Sequence, residues 1–269
     1  MKPFRHSATA IACVLCTLAA TASAQPASTQ MPQSGLQDPI ANEGVIEDSA
    51  VDALKEMSTF LTTVQTMQII SNGSMDVVTN NGQRIQLDGR TTYKVRKPNG
   101  FVIDYQSDIK SRRFVYDGKN FTVYSPKLGF YSTVAAPPTN KEVLKTIYDK
   151  FGIALPLEDL FRWADGSHDD RIKALRSAYE VGPATIDGVA TDHFAFREDD
   201  VDWEIWIQQG DQPLPRKLVI VNRNDEAKPT FTARLQWTMN PAFTDADFTF
   251  VPDANAKKIQ MATYKESGE

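Results

Sequence analysis

Apolar and polar residues alternate with a period of two along most of the chain from Met67 to Met239, the mark of strands with one buried and one wet face. In the clearest run Ile85, Leu87, Thr91, Tyr93 and Val95 fall on one side, while Arg84, Gln86, Asp88, Arg90, Thr92, Lys94 and Arg96 fall on the other. The run before it behaves alike through Met67, Ile69, Met75 and Val77, and Asn80-Asn81-Gly82 between the two is hairpin-turn chemistry. The spacing predicts a long antiparallel pair. Further strands follow at Phe101-Ile103-Tyr105, Phe114-Tyr116, Phe121-Val123 and Phe130 to Val134, with turns at Pro98-Asn99-Gly100 and Asp117-Gly118-Lys119, which makes a six-strand meander. From Tyr179 the strands resume as Tyr179 to Ile186, Val189 to Arg197, Val201 to Gln208, Arg216 to Asn222 and Thr230 to Met239, about eleven in all.

Two stretches change to helical spacing. Val51, Leu54, Met57, Phe60, Leu61 and Val64 recur at three- and four-residue steps behind a cap at Asp48 or Ser49. Within 139–178, Thr139-Asn140-Lys141-Glu142 is a capping box in which Thr139 and Glu142 satisfy each other's amides. A helix with Val143, Leu144, Ile147, Tyr148 and Phe151 on one side follows, then a shorter one near Leu157, Leu160 and Phe161. An amphipathic helix needs something to lie on, and a twisted sheet of more than roughly ten strands tends to curl. Together these predict a mainly β chain with helical cover (α+β), an unclosed antiparallel half-barrel whose apolar concave face is plugged or lidded by helices. No repeat of 20 to 50 residues points to a propeller or solenoid.

The N-terminal segment carries Lys2, Arg5 and His6, an apolar stretch of about 13 residues from Ala8, and Ala22-Ser23-Ala24. That is a cleavable export signal with cleavage near Ala24, and the stretch falls short of the roughly 20 residues that a membrane span needs. Residues 25–47, rich in Gln, Pro and Ser, read as a flexible leader, 48–260 as one half-barrel domain and 261–269 as a tail. Neither cysteine stands in a lipid-attachment frame: Cys13 comes early in the apolar stretch, and bulky Leu15 directly precedes Cys16. Cleavage removes both, so the periplasmic chain is expected to have no thiol and to rely on core packing. The net charge of −5 becomes more negative when Lys2 and Arg5 leave, which argues against nucleic acid as a partner.

Candidate chemistry is sparse. His168 in Asp165-Gly166-Ser167-His168-Asp169-Asp170 fits neither a calcium loop nor a zinc motif and reads as a solvated loop. His193 beside Asp192 reads as a partly buried strand histidine. The run Glu198-Asp199-Asp200 with Asp202 reads as a polar turn, and Lys110, Arg112 and Arg113 as a small basic patch near a turn that an anionic lipid headgroup could meet. No nucleophile elbow, phosphate loop or dinucleotide fingerprint occurs, so no catalytic residue, metal ligand or cofactor is predicted.

The run Trp203-Glu204-Ile205-Trp206-Ile207, then Pro213-Leu214-Pro215-Arg216-Lys217-Leu218, Trp237 and the closing Phe248-Thr249-Phe250-Val251-Pro252, resembles a bacterial family of predicted periplasmic proteins. In architecture it is similar to the carriers and receptors of the outer-membrane lipoprotein sorting system, over roughly residues 48 to 260. The resemblance implies an apolar half-barrel that holds acyl chains beneath helices. Such carriers are expected to latch the lid with an arginine inside the cavity, whereas Arg84, Arg90 and Arg96 alternate onto the polar face here.

These features predict a non-enzymatic periplasmic binding or carrier protein that sequesters an acyl chain, a lipoprotein lipid or another apolar ligand. Met67, Ile69, Met75, Leu87, Tyr93, Phe101, Ile103 and Tyr105 would line the cavity from the first meander, and Trp203, Ile205, Leu235 and Trp237 from the second. Leu144, Ile147, Tyr148, Phe151, Leu157 and Phe161 would form the lid. Core packing explains each of these positions singly, and an envelope scaffold whose helices fill its own core is the alternative, with a hydrolase third. The expected partners are the apolar ligand and an envelope protein, with transient membrane-surface contact, no spanning segment and a monomeric state.

Overall fold

The protein is described from a computed structural model, over residues 44–166 and 169–264. The export segment with both cysteines, the leader up to residue 43, His168 and residues 265–269 lie outside the described residues. The strands are β1 (Thr66–Val78), β2 (Arg84–Arg96), β3 (Phe101–Ser107), β4 (Ser111–Tyr116), β5 (Asn120–Ser125) and β6 (Phe130–Ala135), then β7 (Ser177–Ile186), β8 (Val189–Arg197), β9 (Val201–Gln208), β10 (Pro215–Asn222), β11 (Thr230–Met239) and β12 (Lys257–Lys258). The helices are α1 (Asp48–Thr63), α2 (Asn140–Phe151), α3 (Glu158–Asp165) and α4 (Asp169–Ala174).

All twelve strands form one sheet in the order β12-β6-β5-β4-β3-β2-β1-β11-β10-β9-β8-β7, and its two edges do not pair with each other. It is an unclosed antiparallel sheet with one parallel exception, β12 on β6. The first meander grows outward from β1. The chain then leaves through α2, α3 and α4, restarts at the far edge with β7, and meanders back until β11 pairs with β1, Met239 opposite Met67 and Phe231 opposite Met75. The β1–β2 hairpin, with every residue from Thr66 to Val78 paired, therefore sits near the centre of the sheet.

Side chains of one parity share the concave face. One row crosses the sheet as Met239, Met67, Val95, Phe101, Tyr116, Phe121 and Val134, and the next as Trp237, Ile69, Tyr93, Ile103, Phe114 and Val123. The apolar stripe of α1 (Val51, Leu54, Met57, Leu61) and that of α2 and α3 (Val143, Leu144, Ile147, Leu160, Phe161) bury against these rows as one core. Phe161 of α3 meets Phe101 edge-on at 5.8 Å, which fixes α3 over β3.

Several details depart from the sequence pattern. The cap residue of α1 is Glu47, not Asp48 or Ser49, and it makes no side-chain cap; the chain before it is tied to the β7 edge, with Ile46 bridging Ala178. Glu142 closes the α2 cap on the Thr139 hydroxyl at 2.8 Å, where the box pattern puts it on the Thr139 amide, while the Glu142 amide donates to the Thr139 hydroxyl oxygen at 3.2 Å. Asp169 and Asp170, read as loop, open α4, where their charge favours a helix N-terminus.

The largest departure is on the convex face, whose alternation predicts a wet surface. A C-terminal strap covers part of it: Val102, Val115 and Phe248 make a second small core with Phe243 and Phe250 packed around it. Lys94 pairs with Asp247 at 2.8 Å, and Arg96 reaches Asp245 at 2.7 Å with its guanidinium 4.5 Å from the Phe248 ring. The strap rounds the sheet edge as β12 and returns to the helical side, where the Tyr264 amide donates to the Lys150 carbonyl at 2.8 Å. Covering β6 in this way removes an exposed edge that would otherwise template pairing with another chain.

Candidate functional site

The apolar face and its helical roof meet at Lys97, one residue past β2. Its ammonium donates to the carbonyls of Leu61 at 2.7 Å, Thr62 at 3.0 Å and Ala164 at 2.8 Å. These belong to the last turns of α1 and α3, where carbonyls lack helical partners and the helix dipole is negative, so one cation closes two helix ends. Half-burial pushes the Lys97 pKa below the usual lysine value, and the nearby Asp165 carboxylate opposes that shift. The Ser58 hydroxyl, donating to the Trp163 carbonyl at 2.7 Å, adds a second tie between α1 and α3. Asn140, at the start of α2, accepts from the Gly100 amide at 2.9 Å and donates to the Arg96 carbonyl at 3.0 Å, which anchors α2 to the β2–β3 turn.

Under this roof lies a cavity of about 40 Å³, walled by Met67, Ile69, Val95, Lys97, Leu160, Phe161, Ala164 and Trp237. Ligand pockets usually span about 300–1,000 Å³, so the roof is closed down on the sheet. The roof's connecting segment bends at two left-handed residues, Gly152 (φ 62) and Leu157 (φ 51). Such a backbone is free for a glycine but costly for a leucine, which puts local strain at Leu157, just before α3. The connecting segment passes directly over the floor, where the Tyr93 hydroxyl donates to the Pro156 carbonyl at 3.1 Å.

The structure places the sequence-derived lining residues unequally. Met67, Ile69, Tyr93, Phe101, Ile103, Ile205 and Leu235 are buried in the shared core, and Trp203 and Trp237 are packed against it. Leu87 and Tyr105 are half-buried, and Met75, expected inside, is 43% exposed because the roof ends before it. Of the lid residues, Leu144, Ile147 and Phe161 are buried, and Phe151 and Leu157 pack against the core. Tyr148, expected on the inward side of α2, instead points outward at 59% exposure.

Two functional-looking residues escape the sequence pattern. Lys97 lies beyond the alternating run of β2, and nothing local marks it as a latch; Arg84 and Arg96 are paired with Asp76 and Asp245 instead. Arg112 belongs with Arg113 in a surface patch by sequence, but the structure splits the two. Arg113 grips Asp104 from the convex side with two hydrogen bonds at 2.5 and 3.0 Å, whereas Arg112 stands opposite Tyr105 on the concave register. Strict alternation from Phe114 and Tyr116 carries this signal, because residue 112 shares their parity.

A larger cleft, about 410 Å³, lies on the convex side between sheet and strap. Its walls hold Lys94, Asp104, Arg113 and Asp247, already matched in two ion pairs, beside Val102, Val115, Phe250 and Val251, so charged and apolar groups are mixed there. His193 is a strand residue that contacts Glu204 at 2.8 Å and stacks on Trp206 at 3.8 Å. Three carboxylates of the acidic turn are paired, Glu198 with Arg171, Asp199 with Arg176 and Asp202 with Arg197. Among the described residues no group of three or more His, Cys, Asp or Glu gathers to hold a metal, and no helix is long and apolar enough to cross a membrane.

A family model described as "Predicted periplasmic protein (DUF2092)" matches residues 50–262. No match is found among the curated proteins. Similar solved structures include an uncharacterised conserved protein from Thermus thermophilus, at 11% identity and TM-score 0.44, covering 79% of this chain and 99% of that one. LprF from Mycobacterium bovis is similar at 12% identity and TM-score 0.44, covering 75% and 97%. A LolA superfamily protein from Nitrosomonas europaea is similar at 8% identity and TM-score 0.37, covering 75% and 97%.

Proposed function

Because the chain belongs to this family of predicted periplasmic proteins, we propose that it is a periplasmic container that takes up an acyl chain or another apolar ligand between its sheet and the roof of α2 and α3. The observation that carries this reading is the Lys97 latch. The apolar floor is roofed in part by α3, whose last turn is held beside that of α1 by an ammonium on three backbone carbonyls, a polar contact that can be exchanged for water. Water can replace the carbonyls when the roof lifts, so opening exposes apolar surface without stranding the lysine. An entering chain then re-covers that surface, worth about 25 cal/mol for each Å² removed from water. No catalytic step is assigned to the protein.

The test is native mass spectrometry and lipid extraction on protein purified from bacterial periplasm, followed by titration with a fatty acid while tryptophan emission is recorded. Trp237 walls the cavity and Trp163 sits in α3, so uptake is expected to shift the emission. A co-purifying lipid or a saturable shift supports the container; a bare mass with no uptake removes it. The second reading, an envelope scaffold filled by its own helices, draws on the small volume of the closed cavity. It predicts the second outcome.

A further inference from the structure

Along the seven strands from β6 to β11, the concave register among the described residues is apolar or small and uncharged, with one exception, Arg112. It is half-buried, and no carboxylate pairs with it among the described residues; its Nη1 donates to the Ser111 carbonyl at 2.8 Å and to the Ser125 hydroxyl at 2.7 Å. By contrast Arg84, Arg96, Arg113, Arg171 and Arg197 each hold an acidic partner. Both bonds leave from Nη1, and the guanidinium fork, whose geometry suits a carboxylate or phosphate, has no anion on it among the described residues.

Its position is as specific as its charge. On the β3–β6 side, Phe101, Ile103, Tyr116 and Phe121 are fully buried, and Phe114 nearly so. One row further along, Tyr105 and Arg112 are half-buried and Phe130 is 40% exposed. Arg112 therefore stands where the roofed apolar floor gives way to solvent. Four residues along β4 separate it from Tyr116, about 13 Å at strand rise, a span of apolar floor for a chain to lie on.

We infer that Arg112 is the head-group contact of the ligand, and that the cargo is an anionic amphiphile whose carboxylate or phosphate sits on Arg112 while its chain runs inward beneath α2 and α3. This rests on the container reading above and narrows it from any apolar ligand to one with an anionic end.

The experiment compares dodecanoate, dodecyl phosphate and dodecanol, which share a chain and differ at the head, on the wild-type protein and on Arg112→Gln and Arg112→Lys, with circular dichroism as the check on folding. The wild type should bind at least one of the anions about tenfold or more tightly than the alcohol, the worth of one charge-assisted hydrogen bond. Arg112→Gln should lose that preference while still binding the alcohol, and Arg112→Lys should keep part of it. Which anion leads separates a carboxylate from a phosphate head. Equal binding of all three by the wild type, or a preference unchanged in Arg112→Gln, overturns the head-group inference and leaves the container standing. No binding of any of the three by the wild type overturns both.

Discussion

The two ends of the β1–β2 hairpin are built from the same alternation and meet different fates. At the end near Lys97, Met67, Ile69, Tyr93 and Val95 are 1–3% exposed. At the turn end, Met75 and Ile85 of the same face are 43% and 39% exposed. Between them the face narrows to Ser71, Gly73, Gly89 and Thr91, and a Cβ on Gly73 would come within 2.4 Å of the Thr232 carbonyl. The lesson is that alternation specifies an apolar face but not its cover. Where the helices reach, the face is core; where they stop, it is exposed apolar surface.

Truncations should separate the ends most sharply. Phe101→Ala, under α3, is expected to cost about 3–5 kcal/mol in urea unfolding, as for other large-to-small core changes. Met75→Ala at the open end should stay within about 0.5 kcal/mol. Equal costs would mean that the open end is covered in solution. The latch comes next: Lys97→Met leaves three carbonyls at two helix ends without their donor and should cost about 1–3 kcal/mol. Hydrogen exchange should then quicken in α3 and the last turn of α1 while β1 and β2 keep their protection; Arg84→Met, at the open end, breaks only a 3.6 Å contact to Asp76, which keeps the Thr230 amide as donor, and should cost no more than about 1 kcal/mol.

Two smaller effects sharpen the contrast. Met75→Asp with Ile85→Asp should leave the unfolding midpoint nearly unchanged yet slow uptake of a fatty acid in stopped-flow fluorescence, if ligand enters past the open end. An unchanged rate would place entry elsewhere. The covered end should also carry an alkaline dependence, because burial pushes the Tyr93 hydroxyl well above its ordinary value of 10.0. A raised pKa gives stability that is complete below the unfolded value and is lost as pH climbs from there toward the folded one. Unfolding midpoints measured at pH 8 and pH 11 should therefore fall less in Tyr93→Phe than in the wild type, and an equal fall in both would assign the loss to another group.

Much of the fold was legible because strand alternation is a local signal. The bounds of β1 and β2 follow from Thr66 to Val78 and from Arg84 to Arg96 around an Asn-Asn-Gly turn, and the helical steps of α1 and α2 are equally plain. Helix faces were less secure: Tyr148 shares a stripe with Leu144 and Ile147 by spacing, yet lies beyond the edge of the α2 contact. The strap was not legible as a cover. Phe243, Phe248 and Phe250 announce burial, but the place they bury depends on Val102 and Val115, two outward residues more than a hundred positions earlier.

The sequence by itself determined which residues pair locally, which face of the long strands is apolar and that α1, α2 and α3 are helical, because those choices are made within a few residues by steric alternation and turn chemistry. Only the tertiary structure decided that the two meanders meet at β1 and β11 and that Lys97 closes α1 and α3 together. Each joins groups far apart along the chain, and the free energy that selects it is set by packing and desolvation in the assembled sheet, which no local pattern records.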